Sequence, residues 1–213
     1  NIEIKKIKIN NKNITLMKPI YKSTLYHINK INIPKNGKKF QGAFSQVYPF
    51  EHEEQNYILK IINDPKEKEI KGIEFHRDLQ KKLKNNEREY FCYLIEYGKI
   101  KEEPHKFYVI MEDCFKELNN YIDTLTKRTN IDLKNYQSLL IDCVKSIQII
   151  HKYGYLHLDI KPENFLVDVY IYENNIKKNI ITQLKVIDFG FVKKINTEAK
   201  SVFGTMLYID MDS

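Results

Sequence analysis

Cysteine is scarce in this chain. Its 213 residues hold three, Cys92, Cys114 and Cys143, set far apart and without the paired spacing of metal ligands, which argues against a disulfide framework and a structural zinc site. Reduced thiols in an intracellular compartment, cytoplasmic or nuclear, are the expectation. Long apolar runs are missing too: no stretch approaches the roughly 20 apolar residues of a membrane-spanning helix, and no charged-then-apolar leader opens the chain. A soluble protein with no membrane partner is expected. Glycine numbers only seven, nowhere clustered, so a full glycine-rich loop is excluded. The first residue is Asn1 rather than a methionine, and the chain reads as a piece of a longer product.

Charge is present in both signs. Lys and Arg total 35 against 28 Asp and Glu, a net charge of +7, but the basic residues fall in short pairs such as Lys5-Lys6, Lys81-Lys82, Lys177-Lys178 and Lys193-Lys194. Such pairs belong on solvated faces. A nucleic-acid partner would want them gathered on one element with interleaved aromatics, and no such stripe exists.

Residues 1 to about 35 alternate isoleucine with polar residues, as in Ile2 and Ile4, then Ile7 and Ile9, which predicts strands. Pro34 to Gly37 is a turn signal, and from Lys38 to Ile62 β-branched and aromatic residues predict a hairpin and a further strand. Pro65 to Leu83 reads as a helix, with Ile70 and Ile73 on one face and Phe75, Leu79 and Leu83 on another; Gly72 weakens it. Phe91 to Glu96 and Phe107 to Met111 are expected as strands joined by a turn around Pro104. From Asp132, the spacing of Tyr136, Leu140, Val144, Ile147 and His151 predicts a long amphipathic helix ended by Gly154. The Asn/Lys-rich stretch Tyr172 to Asn179 is expected to be a loop insertion without catalytic meaning.

Two short segments carry the chemistry. His157-Leu158-Asp159-Ile160-Lys161-Pro162-Glu163-Asn164 is followed downstream by Asp188-Phe189-Gly190. A carboxylate that can accept a hydroxyl proton, a nearby lysine, and an asparagine and a second aspartate suited to Mg²⁺ are the parts that phosphoryl transfer needs. Their order and spacing resemble those of the eukaryotic protein kinases, and Lys161, two residues after Asp159, favours the serine/threonine type.

That resemblance covers about residues 38 to 212. It implies an α+β, bilobal protein-kinase-like fold: residues 1–111 as an N-lobe of antiparallel sheet plus one helix, with extra N-terminal strands; residues 112–116 as the hinge; and residues 117–213 as a mostly helical, incomplete C-lobe running through the activation segment. It implies ATP and Mg²⁺, with Mn²⁺ as a substitute, and a protein substrate. Asp159 becomes the base and Lys161 the cation beside the transferring group, while Asn164 and Asp188 hold the metal. Lys60, in Tyr57-Ile58-Leu59-Lys60, matches the lysine that binds the α- and β-phosphates. Its carboxylate partner is Glu74 by its gap after Lys60, with Glu69 as the alternative. In Phe40-Gln41-Gly42-Ala43-Phe44-Ser45-Gln46-Val47 only the central Gly42 of the phosphate loop is kept, and Val47 would cover the adenine. Phe107 to Cys114 resembles the strand entering the hinge, with Met111 as gatekeeper, the main chain of Glu112 and Cys114 on the base, and Leu166 beneath it. Cys114 would lie at the pocket lip, an accessible-thiol candidate for which a free, inert thiol is the plainer expectation.

The departures are informative as well. Leu158 replaces the arginine that usually anchors a phosphate on the activation loop, so activity is expected not to depend strongly on phosphorylation of that loop. Activity lost on changing both Thr197 and Ser201 to alanine, in a protein that still folds, would contradict this. Thr205 fits the threonine that meets the catalytic aspartate and lysine, whereas Asp210-Met211-Asp212 stands where Ala-Pro-Glu is usual. The chain stops at Ser213, before the helices that complete a large lobe, so part of the apolar face of the 132–151 helix is expected to be uncovered. Asn164-Phe165-Leu166 and the Met111 to Cys114 hinge look most like the dual-specificity spindle-checkpoint kinases; casein-kinase-like members share the first of these. A pseudokinase, a kinase-shaped binding module without transfer, is the alternative reading.

Overall fold

The computed structural model describes residues 5–9, 12–24, 28, 30–34, 40–41, 45–114, 116–126, 133–174 and 177–195. They fall into two compact units, residues Asn1–Glu67 with Tyr93–Asp113, and Lys68–Cys92 with Cys114–Ser213.

In the first unit, β1 (Lys5–Ile9) and β2 (Lys12–Leu16) form a hairpin. The remaining strands are β3 (Tyr21–Lys22), β4 (Phe40–Gln41), β5 (Ser45–His52), β6 (Gln55–Asn63), β7 (Leu94–Lys99) and β8 (Lys106–Glu112). They make one antiparallel sheet in the order β3-β7-β8-β6-β5-β4. The period-2 rule sorts their residues. Tyr48 and Phe50 of β5, Tyr57, Leu59 and Ile61 of β6, and Tyr108 and Ile110 of β8 point to one face, and all are buried in a cluster with Ile7, Ile9, Ile14 and Leu16 of the hairpin. The N-terminal strands therefore cover one face of the sheet.

Polar contacts fix that cover in place. The Lys5 ammonium lies 2.6 Å from the buried Glu96 carboxylate, which also accepts the Tyr108 hydroxyl at 3.0 Å. Burial, and then the Glu96 charge, push the Tyr108 phenol well above its usual range. The backbone N–H of Thr15 donates to Glu102 at 2.8 Å, and Lys12 and Lys106 both pair with Glu103. A buried ion pair needs such extra hydrogen bonds to offset its desolvation.

The second unit opens with α1 (Glu67–Lys82) and the single turn α2 (Asn85–Arg88). It continues through β9 (Lys116–Glu117), α3 (Leu118–Thr126), α4 (Leu133–Lys152), β10 (Tyr155–Leu156), β11 (Phe165–Asn174), β12 (Lys177–Val186) and β13 (Lys193–Lys194). Leu79 of α1, Leu83 just after it, Tyr90 and Phe91, Leu139, Ile149 and Ile150 of α4, and Phe165, Val167, Leu184 and Val186 of the β11–β12 hairpin are buried in one cluster with Phe189. Glu87 ties α2 to the end of α4: its carboxylate lies 2.5 Å from the Lys152 ammonium and accepts the Tyr153 hydroxyl at 2.8 Å and the Lys84 N–H at 2.9 Å. Burial opposes its ionisation, but these donors draw its carboxyl down to about 2. Gly154 ends α4 at φ +86°, a conformation glycine adopts without steric cost. Among the described residues no helix is long and apolar enough to cross a membrane.

Two expectations need correction. Tyr172 to Asn179 is not a loop insertion, because the ladder runs on through Tyr172↔Asn179 to Asn174↔Lys177. The alternation Val167, Val169, Ile171 continues the strand period to the tip. The strand expected at Phe91 begins at Leu94; Phe91 instead bridges Val186 and buries its ring in the second unit. On α4 part of the apolar surface is uncovered, as expected, Leu140 being 66% and Val144 57% exposed, while Leu139, Ser146, Ile149 and Ile150 turn inward against β12. The helix is apolar on two sides, and periodicity alone does not choose between them.

Candidate active site

The candidate catalytic residues Asp159, Lys161 and Asn164 come together within the second unit. Asp159 and Asn164 are each 4% exposed. The Lys161 ammonium lies 2.9 Å from Asp159 Oδ2, and the Asn164 amide donates to the same oxygen at 2.8 Å and to the Asp159 carbonyl at 2.8 Å. A turn at Pro162–Asn164 brings Asn164 back to the loop, closed by its N–H on the Lys161 carbonyl at 3.0 Å. The side chains of Asp159, Lys161 and Asn164 thus hold one carboxylate in one orientation.

Two hydrogen bonds register this loop against the strand that leads to Asp188. Ile187 donates its N–H to the Asn164 carbonyl at 2.9 Å. His157, 2% exposed, has Nε2 3.2 Å from the Ile187 carbonyl and Nδ1 3.3 Å from the Asp159 N–H. Only a neutral ring protonated at Nε2 satisfies both, and burial lowers the imidazole's affinity for a second proton, against the opposing pull of the Ile187 bond and the two aspartates. The sequence named His157 as part of a motif; its bridging role required the fold.

Leu158 and Asp188 both sit at φ +61°. An aspartate tolerates the left-handed region, but a leucine there costs roughly 1–2 kcal/mol, strain of a kind that gathers at functional sites. Asp188 is exposed, and one of its carboxylate oxygens accepts the Gly190 N–H at 3.2 Å. Asn164 has committed its amide nitrogen, which leaves Oδ1 for a cation. Two hard oxygen donors, one of them a carboxylate, suit Mg²⁺, which takes few protein ligands and completes its shell with phosphate and water.

Between these groups Phe189 acts as a hub. Its ring, 4% exposed, has centroids of Phe75 at 5.2 Å, His76 at 5.0 Å, His157 at 5.6 Å and Phe91 at 6.3 Å. Helix α1 meets it through Gly72: a Cβ there would lie 2.8 Å from the Phe189 carbonyl carbon and oxygen and 2.9 Å from the Gly190 nitrogen. Alanine normally stabilises a helix interior over glycine by about 1 kcal/mol. Here the sign reverses, because backbone atoms cannot yield as a side-chain tip can. Gly72→Ala is expected to destabilise by about 1–3 kcal/mol in urea unfolding; a more stable variant would show that α1 does not press on this segment.

His76 is fully enclosed, with Nε2 2.7 Å from the Cys92 carbonyl, to which its N–H donates. Burial pushes its pKa down from 6.5 to about 4, against the hydrogen bond, which favours the protonated ring. The unfolded chain therefore binds a proton that the folded chain excludes. Stability is complete above pH 6.5 and falls as pH drops towards 4, by about 2 kcal/mol at pH 5 and about 3 at pH 4. Urea midpoints at pH 7 and pH 5 should show a drop that His76→Gln largely removes; an unchanged pH dependence in that variant would exclude His76 as its source.

The nucleotide-binding candidates lie mainly in the first unit. Val47 pairs with Lys60, Lys60 with Val109, and Ile58 with Met111, so Val47, Lys60 and Met111 share the sheet face opposite the hairpin-covered one. The Glu112 N–H is taken by the Tyr93 carbonyl at 3.1 Å. Leu166 lies at the start of β11, paired with Glu117 and Lys185. Cys114 is 3% exposed, a buried thiol rather than an accessible one. On α1, Glu74 and Glu69 are half-buried; at 100° per residue Glu74 lies about 150° round from the face that carries Gly72, Phe75, His76 and Leu79, and Glu69 about 70°. Gly42, Thr205, Thr197, Ser201 and the Asp210 to Asp212 stretch lie outside the described residues.

Comparison with known proteins follows the same lines. Residues 37–210 match the family described as Protein kinase domain. The chain is 26% identical over 191 residues to the dual specificity protein kinase Ttk of Danio rerio, covering 84% of this chain and 18% of that protein. It is 26% identical over 174 residues to a serine/threonine-protein kinase of Drosophila melanogaster, covering 79% and 21%. A crystal structure of another protein's kinase domain superposes with a TM-score of 0.60 at 18% identity, covering 82% of this chain and 55% of that one. The chain thus spans about a fifth of the length of these two curated relatives.

Proposed function

This chain belongs to the protein kinase family, and from that premise we propose that it transfers the γ-phosphoryl group of Mg·ATP to serine or threonine hydroxyls of protein substrates. The observation that carries the reading is the Asp159 carboxylate, buried and held at Oδ2 by Lys161 and Asn164. Asp159 accepts the proton of the attacking hydroxyl, and Lys161 offsets charge on the transferring group. Asn164 and Asp188 would hold Mg²⁺, which when bound neutralises charge building on the phosphate oxygens. Lys60 fixes the α- and β-phosphates and pairs with a carboxylate of α1, Glu74 by its gap after Lys60, with Glu69 as the alternative. Val47, Met111, Leu166 and the main chain at Glu112 and Cys114 are the candidates for the adenine, as Gly42 is for the phosphates and Thr205 for the catalytic aspartate and lysine.

The serine/threonine assignment is supported by Lys161 and by the similarity to a Drosophila protein named a serine/threonine-protein kinase. A binding module without transfer is the second reading, favoured by Phe40 in the place of the first loop glycine. The deciding experiment is a transfer assay on generic protein substrates with labelled ATP, with and without Mg²⁺, beside a thermal-shift titration with ATP. Mg²⁺-dependent label on serine and threonine supports the enzyme. ATP binding with no transfer supports the module.

A further inference from the structure

Cys92 and Cys114 both belong to the second unit, and they flank Tyr93–Asp113, a segment of the first. Both thiols are buried, Cys92 completely and Cys114 with 3% of its surface exposed, and neither is in a disulfide. Their sulfurs lie 3.0 Å apart, about 1 Å beyond disulfide bonding distance. The backbone at Cys92 is held, its carbonyl accepting from His76 at 2.7 Å. Two sulfurs this close need little movement to bond.

We propose that Cys92 and Cys114 form a reversible oxidation site that closes to an intramolecular disulfide by exchange with a low-molecular-weight disulfide. Cys114, the one with any solvent contact, loses its proton and attacks one sulfur of the small disulfide, forming a mixed disulfide and releasing one small thiol. Cys92 then attacks the Cys114 sulfur, and the second small thiol leaves with the Cys92 proton. Two protein thiols are oxidised, one small disulfide is reduced to two thiols, and both protons are carried off. Entry of the reagent requires local opening at Cys114, so the first step is slow. The product joins positions 22 residues apart, fixing both ends of the segment that holds Met111 and Glu112. Because the site does not depend on phosphoryl transfer, it stands or falls separately from the proposed function.

The test uses the reduced chain under native conditions, incubated with glutathione disulfide, quenched by alkylation and mapped by peptide mass spectrometry. Cys143 on α4 is the internal reference: burial, and then Asp142, push its thiol up to about 11. A Cys92–Cys114 cross-linked peptide is expected, with Cys143 still alkylated, and a melting temperature raised by on the order of 5–10 °C that dithiothreitol reverses. A glutathione adduct resting on Cys114 without cross-linking, a bridge to Cys143, or a cross-link that forms only in denaturant would each overturn the proposal.

Discussion

Asp159→Asn is expected to lower the rate of phosphoryl transfer to protein by a factor on the order of 10² to 10⁴, the usual contribution of a positioned general base. The substitution keeps the side chain's shape while removing its ability to take a proton. Its oxygen can still accept from Lys161 or Asn164, but a lysine now faces a neutral partner, and a cost of about 1–3 kcal/mol in stability is expected with it. ATP binding should survive, since Asp159 is assigned to the hydroxyl and not to the nucleotide. The measurement is therefore paired: initial transfer rates and an ATP titration on the same preparation. Transfer at the original rate would remove Asp159 from the mechanism, and loss of ATP binding along with transfer would reassign it to nucleotide binding.

Phe189→Ala carries the largest expected effect on stability, about 3–5 kcal/mol, because it removes a ring buried against Phe75, His76, Phe91 and His157. For a chain of this size that corresponds to a fall in melting temperature on the order of 10 °C. Native stabilities are about 5–15 kcal/mol in total, so this variant should sit close to unfolding at ordinary temperatures. Phe189→Leu, which refills most of the volume, should cost about 1 kcal/mol and serve as the folded comparison. Equal small losses in both variants would show that the ring does not fill a packed site. Where Phe189→Leu folds, its transfer rate tests the second role of the hub, since Asp188 precedes the ring and Gly190 follows it.

The catalytic loop was legible because its chemistry is local in sequence: Asp159, Lys161 and Asn164 lie within six positions, and a short turn is enough to bring them together. The helix over 65–83 and the strands around Lys60 and Met111 were legible through their periods. His157 was visible as a motif letter, but its bond to the Ile187 carbonyl joins residues 30 positions apart, and no local pattern encodes that. Gly72 showed only as a weakness in a helix; its reason lies in the Phe189 backbone, which the sequence places more than 100 residues away. The buried side of α4 was not legible for a related cause, since an isoleucine and a leucine on opposite sides of a helix are equally apolar until a sheet packs on one of them.

By itself, then, the sequence determined the family, the candidate reacting groups and the periods of most elements, because each depends on residue type and near-neighbour spacing. The tertiary structure decided which faces were buried, which cover the N-terminal hairpin provides, why α1 carries a glycine against Phe189, and that Cys92 and Cys114 meet. Those are outcomes of packing between distant segments, where volume and hydrogen-bond geometry must be satisfied together and no short stretch of chain holds both halves of the contact.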